Sequence, residues 1–248
     1  MIEITDLHKS FATKTGLVKA VQGVSFTARN GEITGLLGPN GAGKTTTLRM
    51  LYTLMSPERG TVRVDGHDSV TEAEVVRRSL GVLPDARGVY KRLTARENIA
   101  YFGELQGMSP ADIARRTEEL SKALGMHDIL DRQAEGFSQG QRTKAAIARA
   151  LVHDPLNVVL DEPTNGLDVM TTRGLREFLM QLRAKGRCVI FSSHIMQEVA
   201  ALCDRVVVIA GGRVVASGTA DELRAQTNTT NLEDAFVKAI GSDEGLLS

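Results

Sequence analysis

Apolar and polar positions alternate over residues 24–28, which predicts a strand, and Asn30 with Gly31 supplies a turn before a second strand over residues 32–37. A glycine-rich stretch follows at once. Beyond it Leu48, Leu51, Tyr52 and Met55 recur at helical spacing, so a helix should pack one face inward until Ser56 and Pro57 stop it. Residues 61–65 alternate as a short strand, and Val82 with Leu83 ends another before Pro84. Between residues 94 and 152 the two-residue rhythm gives way to helical spacing rich in Ala, Leu, Glu, Lys and Arg, which reads as an inserted helical segment. Strand patterns return at residues 157–160, 188–192, 206–210 and 213–217. A helix with Leu175, Phe178, Leu179 and Leu182 on one face, ended by Gly186, separates the first two. Strands alternating with helices predict a parallel sheet with helices on its faces, while Gly211 and Gly212 predict an antiparallel hairpin at its end. Thr219 and Glu222 form a capping box, Leu232, Phe236, Ala239 and Ile240 suggest a last helix, and residues 241–248 are expected to fray.

With 248 residues, 42% of them hydrophobic, the chain can bury the core of one large α/β domain or of two small ones. Thirty Lys plus Arg balance thirty Asp plus Glu, so no global field favours nucleic acid, anionic lipid or an acidic substrate. Cys188 and Cys203 are too few for a disulfide framework and are expected to be reduced thiols. The first residues lack the basic flank and apolar stretch of a signal peptide, and no apolar run reaches the ~20 residues of a membrane helix. The expectation is therefore a cytoplasmic protein; if it serves transport, another polypeptide spans the bilayer.

The glycine-rich stretch, Gly38, Pro39, Asn40, Gly41, Ala42, Gly43, Lys44, Thr45, fits G-x-x-x-x-G-K-[ST] and lies between a predicted strand and a predicted helix, as a phosphate-binding loop must. Its backbone N–H groups can turn inward around phosphate oxygens, at the positive end of the helix that follows. In such a loop Lys44 reaches the β and γ phosphates, the Thr45 hydroxyl binds Mg²⁺, and Thr46 completes the nucleotide-binding run. A second acidic element matches it: an apolar strand ending in Asp161 and Glu162. Parallel sheets place ligands at the carboxyl ends of their strands, so this pair should emerge beside the loop, Asp161 toward Mg²⁺ and Glu162 toward the attacking water. The other histidines, His8, His67, His127 and His153, show no metal-ligand spacing and are expected at the surface or as caps.

No N-K-x-D run to read guanine and no Arg-rich lid of a nucleoside kinase occurs. Instead Phe137, Ser138, Gln139, Gly140, Gln141, just before a helix, resembles the L-S-G-G-Q signature of ABC ATPases. Residues 164–168, ending in Asp168, look like that family's D-loop; Ser192, Ser193, His194 look like its switch histidine; Phe11 sits where its adenine-stacking aromatic lies, and Asp85 at its Q-loop. Motif order and spacing agree along essentially the whole chain. The resemblance implies an α/β P-loop NTPase fold with a mixed sheet core, an antiparallel β subdomain and an inserted α-helical subdomain. It implies one ABC ATPase domain over 1–248: a nucleotide-binding core at 1–84 and 156–225, a helical subdomain at 86–155, and a C-terminal helix and tail at 226–248.

The same resemblance implies ATP with Mg²⁺ as cofactors and a head-to-tail pair, homodimeric or with a paralogous ATPase. In it Ser138, Gln139, Gly140 and Gln141 serve the other copy's ATP, His194 contacts the γ-phosphate, and Asp168 ties the two sites together. A separate transmembrane permease would hold the pair at the inner face of the cell membrane, with no role for nucleic acid. Residues 83–88 and 93–98 look like sodium-efflux and drug-export systems of this family, which points to an exporter; a soluble single-cassette assembly factor would differ only in its partner. Two positions depart from the pattern. Asp85 stands where the family usually has Gln, adding negative charge that the metal or Arg87 would have to offset, and Gln139 replaces the first Gly of the signature. Residues 136–140 also match G-x-S-x-G, but the stretch before them is mostly polar, so the buried strand of a hydrolase nucleophile elbow is missing.

Overall fold

In the computed structural model, which describes residues 1–14, 16–86 and 88–241, two sheets are stacked with helices around them. The central sheet contains β3 (Ile33–Leu37), β6 (Leu80–Leu83), β7 (Asn157–Leu160), β8 (Cys188–Ser193), β9 (Arg205–Ala210) and β10 (Arg213–Gly218) in the order β10-β9-β3-β8-β7-β6. Its strands run parallel except β10, which returns antiparallel on β9 through Gly211 and Gly212. Every residue of β3, β7 and β8 is buried, which is why they are mostly apolar, the exceptions being Thr34, Asn157, Ser192 and Ser193. The second sheet is antiparallel, in the order β2-β1-β4-β5, from β1 (Ile2–Thr13), β2 (Gly16–Ala28), β4 (Arg59–Val64) and β5 (His67–Asp68).

Successive side chains of a strand point to opposite faces, and the core divides accordingly. Leu36, Val159 and Ile190 pack with Ile2, Leu7 and Leu48 under the antiparallel sheet. Leu37, Val158, Leu160 and Phe191 pack on the other side with Ile147, Phe178 and Leu179 from the helices. Those helices are α1 (Lys44–Leu51), α2 (Ala73–Ser79), α3 (Ala95–Leu105), α4 (Pro110–Leu124), α5 (Gln139–Leu151), α6 (Val169–Ala184), α7 (Met196–Leu202), α8 (Ala220–Thr227) and α9 (Leu232–Ile240).

Two local expectations are corrected. The first helix ends at Leu51 rather than near Met55: Thr53 turns left-handed at φ 64°, and the N–H groups of Leu54 and Met55 both return to Arg49 O. Tyr52 and Met55 still pack on the core, so their apolar spacing reported burial, not helix. The strand expected over 24–28 is the end of a 13-residue strand paired with the 12-residue β1. Thr94, Ser109, Ser138, Asp168 and Thr219 each accept a backbone N–H at the start of α3, α4, α5, α6 and α8. Gly241 caps α9 in a left-handed conformation; the fraying expected beyond it falls on 242–248, outside the described residues, as does Arg87. Cys188 and Cys203 are free thiols, and burial pushes Cys188 up to about 11.

Candidate functional site

β3 delivers the chain into the phosphate loop and α1 begins at Lys44, so the loop lies between the carboxyl end of a central strand and a helix N-terminus. Gly43 holds φ 104°, and a Cβ there would come within 2.4 Å of Ala20 O; at Gly38 a Cβ would sit 2.2 Å from Ile209 O. The loop can therefore run this close to its neighbours only as glycine. It walls a cavity of about 480 Å³, lined by Pro39, Asn40, Gly41, Ala42, Gly43, Lys44, Thr45 and Thr46 together with Ala20, Asp85, Glu162, Asn165 and His194. Lys44, 5% exposed, donates to Gly38 O at 2.6 Å and Pro39 O at 3.2 Å and lies 3.4 Å from Glu162 Oε1.

The Asp161–Glu162 pair emerges from β7 beside the loop, as the strand order requires. Asp161 is fully buried; its Oδ1 accepts from Ser192 Oγ at 2.6 Å, while its Oδ2 has no hydrogen-bond partner. Burial raises its pKa from the ordinary value, the Ser192 and Thr45 hydroxyls pull it down, and the charges of Asp85 and Glu162 push it up again. A buried carboxylate oxygen without a proton donor, a threonine hydroxyl beside it and a second carboxylate facing it make a set of hard oxygen donors, which suits Mg²⁺. Glu162 takes a left-handed φ of 48°, its N–H bonded to Ser192 Oγ at 2.9 Å and its Oε2 2.9 Å from His194 Nδ1. Thus Lys44, Glu162 and His194, from β3–α1, β7 and β8, line one cavity, with Asp161 buried behind it.

Other expected positions lie elsewhere. Phe11, opposite Val18 in the β1–β2 hairpin, is not among the residues lining the cavity; the hairpin presents Ala20 there. Ser138 and Gln141 cap α5, with Ser138 N donating to Gln141 Oε1 at 3.0 Å and Gln141 N to Ser138 Oγ at 3.2 Å. Gln139, Arg142, Asn165 and Gly166 line a second cavity of about 360 Å³ that shares Asp85 and Asn165 with the first. Gly140 approaches Thr171 of α6, where a Cβ would lie 3.1 Å from the hydroxyl. Asp168 caps α6, accepting from Thr171 N at 2.8 Å and Thr171 Oγ1 at 2.7 Å, and both contacts lower its pKa. Pattern reading missed the contribution of Ala20, which carries no chemical signal, and the role of Ser192, visible only as a residue before the histidine.

Residues 21–165 match the ABC transporter family. The chain is 45% identical over 241 residues to the ABC transporter ATP-binding protein NatA of Bacillus subtilis (strain 168), covering 97% of this chain and 98% of that one. It is 39% identical over 224 residues to the daunorubicin/doxorubicin resistance ATP-binding protein DrrA of Streptomyces peucetius, covering 88% and 68%. Among solved structures, an ATP-binding subunit of an ABC transporter superposes with a TM-score of 0.86 at 31% identity over 96% of this chain and 99% of that one. A dimeric bacterial ABC transporter cassette superposes with a TM-score of 0.81 at 25% identity over 88% and 98%.

Proposed function

The chain belongs to the family of ABC transporter ATP-binding subunits, and from the site's geometry we propose that it hydrolyses ATP as one half of a head-to-tail pair that drives a separate membrane-spanning export subunit. The observation that carries this reading is the meeting of Glu162, His194 and Lys44 over one phosphate loop, with Ser138 and Gly140 of the same chain outside the cavity. A site whose signature serine lies away from its own loop is completed by a second chain.

Within one site, the N–H groups of the loop and the Lys44 ammonium bind the β and γ phosphates, Lys44 leaving the carbonyls of Gly38 and Pro39 that it now contacts. Thr45, Asp161 and Asp85 are the residues that would hold Mg²⁺, which neutralises charge on the phosphate oxygens when bound. Glu162 accepts the proton of the attacking water as its oxygen bonds to the γ-phosphorus and the bond to the β-bridging oxygen breaks, leaving ADP and phosphate. His194, hydrogen-bonded to Glu162, orients that carboxylate and faces the γ-phosphate. Ser138 Oγ accepts from Gln141 N, which leaves its hydroxyl proton for a phosphate on the opposite copy. Asp85 and Asn165 line both cavities and so link the phosphate loop to the signature end of α5, at the base of helices 95–151 that we take as the moving subdomain. Phe11 would stack on adenine.

Among the described residues no helix is long and apolar enough to cross a membrane, so the bilayer-spanning part and its substrate contacts would belong to the permease, with this chain peripheral at the inner face. Export is supported by relatives named for Nod factor export, such as that of Paraburkholderia xenovorans (strain LB400), 39% identical over 224 residues. Glu162→Gln tests the mechanism: ATP binding should persist, turnover should fall by roughly 10²–10⁴-fold, and a dimer should accumulate with ATP in size-exclusion chromatography. A monomer with bound ATP would sink the composite site, and co-purification of the tagged chain with soluble proteins alone from solubilised membranes would sink the permease.

A further inference from the structure

α7 carries a buried carboxylate that the proposed reaction does not use. Glu198 is 7% exposed, and its Oε2 accepts two hydroxyls, Thr164 Oγ1 at 2.5 Å and Ser193 Oγ at 3.1 Å. Ser193 Oγ in turn accepts from Ile195 N at 3.0 Å, so its proton is committed to Glu198. A buried carboxylate is costly unless its oxygens find donors, and an apolar side chain would fill the same space without that cost.

The two donors are placed on either side of the reacting pair. Thr164 lies two residues after Glu162, and Ser193 immediately precedes His194. Glu162 sits at a left-handed φ of 48° that a non-glycine residue keeps only when its surroundings hold it. Upstream, Ser192 Oγ takes the Glu162 N–H and donates to Asp161. Downstream, the Thr164–Glu198–Ser193 bridge joins the turn after β7 to the end of β8 by side chains.

We propose that Glu198 is a positioning residue for hydrolysis: by gripping Thr164 and Ser193 through one oxygen, it keeps the Glu162 and His194 segments in register so that their side chains meet at hydrogen-bond distance. This rests on the reading of Glu162 and His194 as the groups that handle the attacking water. Glu198 is not among the residues lining the phosphate-loop cavity and acts through the two hydroxyls. What it requires is an acceptor oxygen, not a charge, so an amide in its place should serve.

The experiment measures steady-state ATP hydrolysis and, separately, equilibrium binding of a non-hydrolysable ATP analogue, on the full chain and its variants. Glu198→Ala should lower kcat by about ten- to a hundredfold, the cost of a misplacement on the order of 1 Å, with analogue affinity unchanged, and Glu198→Gln should restore most of the loss. Should Glu198→Ala fail to fold, Ser193→Ala and Thr164→Val, which remove one donor each, should show the same loss in kcat without loss of affinity. Wild-type kcat in the alanine variant overturns the proposal, as does a parallel fall in kcat and affinity or an equal loss in the glutamine variant. Glu162→Gln run alongside separates the layers. If it retains turnover, the reading of the pair fails and the proposal with it; if it loses turnover while Glu198→Ala does not, the role of Glu198 alone fails.

Discussion

At the carboxyl ends of β3, β7 and β8 the molecule buries Lys44, Asp161 and Glu162, leaves an Asp161 oxygen without a partner, and holds Glu162 left-handed. In α3 and α4, by contrast, charge stays at the surface: Arg96 meets Asp131 and Glu118, Arg115 meets Asp112 and Glu119, and both helices begin with a serine or threonine cap. Apart from the buried Ser121 hydroxyl of α4, which has no partner, and the buried Arg149 of α5, the helical region keeps to the rules of stability, while the sheet end breaks several at once. Costs gathered at one cavity, with no gain in packing to match, mark groups arranged for a ligand that is yet to bind.

If that contrast holds, changes at the sheet end should cost function and spare or raise stability, and changes in the helices should do the reverse. The largest effect belongs to Lys44→Ala. Loss of charge-assisted contacts to two phosphates should weaken ATP binding by at least about a hundredfold in calorimetry, at about 1.5–3 kcal/mol for each bond. Unchanged affinity would remove Lys44 from the site.

Asp161→Asn should abolish Mg²⁺-dependent turnover while raising the melting temperature of the nucleotide-free chain, roughly 2–4 °C for each kcal/mol gained. The sign follows from the raised pKa. The unfolded chain ionises Asp161 before the folded one does, so the folded state loses stability as pH climbs from the ordinary value of 3.8 to the folded one, and the loss stands at neutral pH. The gain in the asparagine variant should therefore vanish as the pH falls below the ordinary carboxylate range. A lower melting temperature at neutral pH would show that the buried charge is not a cost.

In the helical region, Ser109→Ala removes the oxygen that accepts Asp112 N at 3.1 Å and should lower stability by about 1 kcal/mol in urea unfolding. Hydrolysis per folded molecule should not change, and a fall in it would blur the boundary between the two regions.

Much of this division is legible in the chain itself. The buried strands β3, β7 and β8 announce themselves as mostly apolar runs, and the caps Thr94, Ser138 and Thr219 stand three residues before an acid or amide that answers them. The β1–β2 hairpin was harder to read because its register shifts after Ile4, Leu7 and Lys9, and each shift breaks the two-residue alternation that betrays a strand. Tyr52 and Met55 misled in the other direction, since burial without helix leaves the same apolar trace.

The loop from Gly38 to Thr45 carries its signal locally: Lys44 donates to Gly38 O six positions back, and although its glycines pack against Ala20 and Ile209 from far along the chain, order and residue type alone predicted a phosphate site there. Which groups would meet over that phosphate was decided by the sheet. His194 and Glu162 are 32 positions apart, Ser192 and Asp161 are 31, and Thr164 and Glu198 are 34, yet each pair closes to hydrogen-bond distance because β7 and β8 lie side by side in parallel register. A motif can state the donors and acceptors; their distances exist only once two strands far apart in the chain share a ladder.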